Sequence, residues 1–378
     1  MRWCCLAADS DQSGIEALSG LMAQLPRAYG EPTLTALFKC EPEDFCVDEE
    51  LGFECSGQGE HLWVQVRKTG ITTLDALRRL ANVAGVNERQ ISYAGLKDKH
   101  GVCTQWFSIH SPGPASALGP VNLREAESDE LCILQCCRNG RKLRRGSHRE
   151  NHFWIRLRGL SPVSGSDGKP AIADLETKLK IIATNGVPNY FGEQRFGFNN
   201  LARSAEMFRS AGRRPARTER GLLLSATRSA LFNAVLAERV ASGDWSGYIP
   251  GDVMNLDGTG SVFAADAADD QLEARLGSLD IHPTGPLWGK GELRSLFDCR
   301  ALEVAVCARW PDLCRGLERA DLEQQRRSLR LPVKALHYRV DPDATLELSF
   351  SLPGGSYATA VLHELVDYRT AFDERRPT

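Results

Sequence analysis

Residues HLWVQVRK (61–68) set Leu62, Val64 and Val66 against Trp63, Gln65 and Arg67, the two-residue period of a half-buried strand, and FWIRLRG (153–159) alternates in the same way. That pattern breaks off at about residue 214. From there to about 334 the chain carries helical runs such as RSALFNAVLAERVASG, a glycine-rich turn, NLDGTGS, and an acidic stretch, AADAADDQLEARL. Only afterwards do LHYRV and TLELSFSLP bring strand alternation back. A sheet whose strands lie on both sides of such a segment must close late, so the pattern predicts a discontinuous first domain. Its expected parts are residues 26–213 and 335–378, with an inserted domain at 214–334. Residues 1–25 are expected to be a loosely held extension, because Asp, Ser, Gly and Gln interrupt the apolar residues before a period develops.

Local signals fill in the first domain. FCVDEELGFE reads as a strand and turn, and TTLDALRRLANVAG as a helix with Thr72 and Asp75 at capping-box spacing. AIADLETKLKIIATNG is a second helix, ended by Gly186, and YATAVLHELVDY a closing one. Hairpin-like strand order places the fold in the mixed α/β (α+β) class with a largely antiparallel sheet flanked by helices.

A chain of 378 residues, 42% apolar, can bury a large core. Its net charge of −3 rules out a global positive field, so a nucleic-acid partner must be met by a local patch. The twelve cysteines form no C-x-x-C pair, and Cys132, Cys136 and Cys137 lack the partners of a zinc site, so no metal is expected. No run of about 18 apolar residues suggests a membrane span, and the N-terminal apolar stretch is too short for a signal peptide. A cytoplasmic protein with reduced, mostly buried thiols is expected.

Four segments could carry chemistry. In YAGLKDKHGVCTQWFSI (93–109), Asp98 lies between Lys97 and Lys99, whose charges would hold it ionised as a nucleophile or base; alone, the segment reads equally as a solvated turn. NYFGEQRFGFNN (189–200) interleaves Tyr190, Phe191, Phe196 and Phe198 with Asn189, Gln194 and Arg195, the groups that stack an unpaired base and read its edge, or else an ordinary aromatic turn. RNGRKLRRGSHRENHFWIRLR (138–158) holds eight Arg or Lys residues against Glu150 alone, a phosphate-contact patch around Arg144 and Arg145 unless it is merely a solvated face. SLPGGSYATAVLHEL turns sharply into a helix that Ser356 can cap. Walker, G-x-G-x-x-G, H-E-x-x-H and G-x-S-x-G motifs are absent, and His61, His100, His110 and His337 stand isolated.

Taken in order, KCEPEDFCVDEE with GEHLWVQVRKTGITT, YAGLKDKHGVCTQWFSI, RKLRRG with NHFWIRL, VPNYFGEQRFG and SFSLPGGSYATAVLHEL resemble the TruD family of tRNA pseudouridine synthases, from about Arg27 to Tyr368. The resemblance implies a pseudouridine synthase fold interrupted by an inserted α/β TRUD domain, with the RNA site in a cleft between the domains. It implies a tRNA partner, conversion of uridine 13 in the D-stem region to pseudouridine, and no cofactor or metal; a monomer is expected. Asp98 then matches the catalytic aspartate, Lys39 the basic residue paired with it, and Phe45 and Phe191 the aromatic residues of the site. Phe191 is assigned to stacking on the flipped base and Asn189 to polar contacts there. Lys97, Arg144, Arg145 and Arg195 are expected to bind the substrate. Gly101 and Cys103 depart from the family's common alanine and threonine, which loosens the expected loop geometry. Two other readings remain: a tRNA-binding or folding-helper module, and an aspartate-nucleophile hydrolase, which would want a second acid in reach.

Overall fold

The computed structural model describes residues 5–112, 123–163, 168–197, 199–209, 215–265 and 269–371. The chain forms two compact units, one from Pro32–Leu179, Val333–Ala358 and Leu365–Thr378, the other from Met1–Glu31, Lys180–Pro332 and Thr359–Glu364. The sequence placed the first crossing near 214. The chain passes from the first unit to the second within a helix, Gly168–Asn185, whose apolar stripe is continuous there. The segment expected to be a loose extension contains helix α1 (Cys5–Ala23). Ile15, Leu18 and Met22 are buried along one stripe of it, and the Trp310 indole donates to the Gly14 carbonyl at 2.7 Å.

Before the insertion run β1 (Leu34–Phe38), β2 (Phe45–Glu50), β3 (His61–Thr69), helix α2 (Thr73–Ala84), β4 (Ile91–Tyr93), β5 (Val102–His110), β6 (Leu131–Asn139), β7 (Glu150–Pro162) and α3 (Gly168–Asn185). The second unit adds β8 (Val187–Pro188), α4 (Asn200–Arg209), α5 (Arg217–Ser242), β9 (Val253–Leu256), β10 (Val262–Ala264), α6 (Asp270–Gly277), β11 (Ile281–Leu287), α7 (Phe297–Cys307), α8 (Pro311–Arg319), β12 (Gln325–Ser328) and β13 (Arg330–Leu331). The chain returns through β14 (Lys334–Asp341), β15 (Thr345–Pro353), α9 (Ala358–Leu365) and β16 (Asp367–Thr370). The closing helix is thus shorter than its pattern suggested. Its last residues become β16, which pairs parallel with β1 (Thr35 opposite Asp367).

The first unit rests on one mixed sheet in the order β14-β15-β7-β2-β5-β3-β6, with β1 joining β7 and β16 and β4 joining β5. Its pairs are antiparallel except β1 with β16 and β2 with β5. On one face Leu62, Val64 and Val66 of β3 pack with Leu77 and Leu80 of α2 and Phe107 of β5. Each fully buried aliphatic side chain there contributes about 1.5–3 kcal/mol. On the opposite face Trp63 is covered too, in a second cluster of Trp106, Leu51, Ala94 and Leu143, while Gln65 stays half-buried and Arg67 exposed. Thr72 caps α2 through the capping box with Asp75, as its spacing predicted, and Gly85 ends it in the left-handed conformation.

The second unit carries a four-stranded sheet, β10-β9-β11-β12, and a two-stranded pair of β13 with β8. Cys103, Cys299, Cys307 and Cys314 are buried free thiols, and the Cys55 and Cys137 sulfurs are brought against each other between the turn after β2 and β6. Among the described residues no helix is long and apolar enough to cross a membrane.

Candidate active site

Asp98 lies in the loop between β4 and β5. Lys39 follows directly on β1, with φ of 56°, a left-handed backbone that costs a non-glycine residue of order 1 kcal/mol and so must be held by its surroundings. What holds it is an ion pair: the Lys39 ammonium meets Asp98 Oδ2. The same ammonium lies 4.2 Å from the Phe45 ring centre and 5.0 Å from that of Phe38. The rings shield the cation from water while their π faces attract it. Asp98 Oδ1 accepts the His100 backbone N–H at 2.9 Å. The Asp98 side chain is 16% exposed and that of Lys39 6%, so the carboxylate, not the lysine, is the end of the pair that reaches the surface.

A second ammonium supports the loop from behind. Lys68, fully buried on β3, donates to the backbone carbonyls of Asp98 and Ile71. Burial lowers its pKa, opposed in part by attraction from Cys103 and Asp98. Sequence reasoning missed Lys68, although a signal was present: two residues beyond Val66, it continues the buried series Leu62, Val64, Val66. A lysine in that register has to find acceptors inside the fold.

Lys97, expected at the substrate, takes another course. Its ammonium pairs with buried Glu49 at 2.8 Å and donates to Asn151 Oδ1 at 2.5 Å, and its backbone N–H donates to Thr73 Oγ1 at 2.9 Å. Of the two flanking lysines, then, the one preceding Asp98 is spent on fixing the loop to β2 and β7. Gly101 does not loosen the site. β2 and β5 pair from Cys46 opposite Val102, which brings the preceding residues, Phe45 and Gly101, side by side. A Cβ on Gly101 would lie 2.5 Å from the Phe45 carbonyl oxygen and 2.8 Å from its Cδ1, so the missing side chain lets the Phe45 ring close on Lys39.

In the second unit, NYFGEQRFG forms a separate cluster. Asn189 follows β8; its N–H donates to the Leu329 carbonyl at 2.7 Å and its Nδ2 to the Ser328 carbonyl at 2.8 Å. The Phe191 backbone is clamped from both sides by Asn233, at 2.9 Å each way. Its buried ring stands edge-on to Phe232. Arg327 of β12 donates to Asn189 Oδ1 at 2.6 Å and sets its guanidinium 4.2 Å from the Phe191 ring centre. Arg195 lies at 5.6 Å from the same ring and donates to the Ser229 hydroxyl at 3.3 Å. Arg327 was not expected, because its partners are more than a hundred positions away in sequence and no local pattern singles it out. Phe198 lies outside the described residues.

The basic run divides. Arg156 and Arg158, on β7, are paired with Glu347 and with Asp44 and Glu41. Arg141, Lys142, Arg144, Arg145 and Arg149 are exposed, with Arg145 donating to the Tyr93 hydroxyl at 2.9 Å. Glu50, Glu150 and His152 bring ligand atoms within 4.8 Å of one another. The Arg149 guanidinium, at 3.6 and 3.5 Å from the two carboxylates, offsets part of that charge.

Comparison with known proteins follows the same lines. The family model described as tRNA pseudouridine synthase D (TruD) matches residues 27–203 and 198–365. A protein of Methylococcus capsulatus named tRNA pseudouridine synthase D is 44% identical over 346 residues, covering 91% of this chain and 94% of its own. A protein of the same name from Pseudomonas aeruginosa is 44% identical over 345 residues, covering 90% and 93%. The crystal structure described as that of a tRNA pseudouridine synthase D (TruD) from Methanosarcina mazei shares the fold, with a TM-score of 0.67 at 19% identity over 93% of this chain and 98% of that one.

Proposed function

The chain belongs to the tRNA pseudouridine synthase D (TruD) family, and from that premise we propose that it converts uridine 13 of tRNA to pseudouridine, with Asp98 as the reacting carboxylate and without cofactor or metal. The observation that carries this reading is the Lys39 and Asp98 ion pair, in which the cation is sheltered by Phe38 and Phe45 and the acid keeps an exposed edge.

The reaction breaks the C1′–N1 bond, joins C1′ to C5, and exchanges the C5 proton for one at N1, so no electrons are gained or lost. Attack of the carboxylate on the sugar, attack on the ring, and removal of a sugar proton all start from the ionised acid. Lys39 favours that form, and removing either partner would leave the other a poorly solvated, unpaired charge. The base has to leave its stack to be reached, at a cost of a few kcal/mol. Stacking on Phe191, polar contacts from Asn189 and phosphate contacts from Arg144, Arg145 and Arg195 are proposed to offset that cost, with Phe45 lining the site. Lys97 is given an indirect role, since its contacts fix the loop that carries Asp98. The protein is proposed to act in the cytoplasm, as a monomer.

The test is Asp98→Asn, assayed for pseudouridine at position 13 and for tRNA affinity. The expected result is loss of turnover with affinity nearly intact. Unchanged turnover in the folded variant overturns the assignment of Asp98, and pseudouridine at another position overturns that of the target.

A further inference from the structure

A groove of about 680 Å³ in the first unit is lined by Phe53, Glu54, Trp63, Arg141, Lys142 and Arg144, among others. Phe53, in the turn after β2, is 49% exposed. A single exposed ring needs no explanation by itself. The way this one is held does. The Trp63 indole, 2% exposed, meets the Phe53 ring edge to face at 5.7 Å and donates its N–H to the Arg141 carbonyl at 2.9 Å. One buried side chain thus positions both an exposed aromatic face and the backbone of the basic loop.

The two loops are joined at further points. Gly57 N–H donates to the Arg138 carbonyl at 3.0 Å, and the Ser56 hydroxyl donates to Asn139 Oδ1 and accepts from Gly140 N–H, each at 3.3 Å. Gly59 approaches Gly140 so closely that a Cβ would lie 2.5 Å from the Gly140 Cα. Arg141, Lys142 and Arg144 are exposed. Glu54 is the one acid in the lining.

A fixed aromatic face beside three cations and one acid suits a flat, π-faced group carried on a polyanion, that is, an unpaired nucleotide with its flanking phosphates. The volume is within the ~300–1,000 Å³ usual for sites that enclose such a group. We propose that this groove is a second nucleotide subsite, in which an unpaired base of the tRNA other than the converted uridine stacks on Phe53 while Arg141, Lys142 and Arg144 take the adjoining phosphates. The inference rests on the tRNA reading above but not on any role of Asp98.

The experiment uses the full chain and unmodified tRNA. Phe53→Ala and Phe53→Leu are expected to weaken tRNA binding about tenfold with little change in its salt dependence, whereas Arg141→Ala with Lys142→Ala lowers the salt slope. Phe53→Trp is expected to keep wild-type affinity and to show indole fluorescence quenched by tRNA, a readout that holds even if the smaller variants fold poorly. Wild-type affinity in Phe53→Ala, an unquenched Phe53→Trp, or equal quenching by an acidic peptide of matched charge overturns the subsite. If the wild-type protein binds tRNA with these properties but forms no pseudouridine, the synthase reading falls and the subsite stands. If it does not bind tRNA, both fall.

Discussion

Lys68 holds the main-chain carbonyl of Asp98 from the buried side of the sheet, so the loop that presents the carboxylate is tied to β3 at the residue that presents it. Lys39 acts on the side chain and Lys68 on the backbone of one aspartate.

Lys68→Met therefore separates placement from charge. Replacing a buried ammonium with an apolar chain of similar length relieves desolvation, but two carbonyls lose their donor at about 1–3 kcal/mol each. Thermal stability is expected to change little, while pseudouridine formation falls about 10- to 100-fold with tRNA affinity nearly unchanged. Single-turnover rates and binding isotherms on the same preparation check this; an unchanged rate refutes the positioning role.

Gly101→Ala tests the close approach of β5 to Phe45. The added Cβ has nowhere to go without displacing the Phe45 carbonyl or ring, and such overpacking costs about 1–3 kcal/mol. The expected result is a lower melting temperature and a parallel drop in turnover as Phe45 moves off Lys39. A variant as stable and active as the parent would show that β2 yields freely.

Arg327 is expected to matter through its shape as well as its charge. Arg327→Lys keeps a cation yet loses the planar group that both lies over Phe191 and bonds Asn189. Turnover should fall in Arg327→Lys nearly as far as in Arg327→Ala, by about tenfold or more. Full activity in the lysine variant would reduce Arg327 to a point charge.

The burial of His363 implies a pH dependence of the second unit's stability. Its Nε2 contacts the Leu25 carbonyl at 3.1 Å, and burial, helped by the neighbouring charge of Arg27, lowers its pKa from 6.5 to about 4. Between those values the unfolded chain binds the proton and the folded one does not, so stability falls as pH drops from about 6.5 to about 4 and levels off below. Urea unfolding is expected to show a loss of about 3 kcal/mol across that window from this group. His363→Gln should remove the corresponding part of the slope; an identical slope in the variant would place the titration elsewhere.

Much of this molecule could be read from residue order. The alternation in HLWVQVRK and FWIRLRG, the capping pair Thr72 and Asp75, and the late return of strand pattern in TLELSFSLP are local signals, because side-chain period, caps and turns are set by neighbours a few positions apart. The motifs around Lys39, Asp98 and Phe191 singled out those residues, and their order along the chain matched a family. Where the chain crosses between its units was not legible, since the crossing lies inside the unbroken apolar stripe of α3. Nor did local charge reveal which lysine would serve Asp98. Lys97 is its neighbour in sequence but turns to Glu49, while Lys39, just past β1, and Lys68, on β3, reach it from elsewhere in the sheet. Strand pairing decides which ammonium groups meet an acid across tens of residues, and burial makes those contacts obligatory because a charge without a partner inside a sheet is too costly to keep.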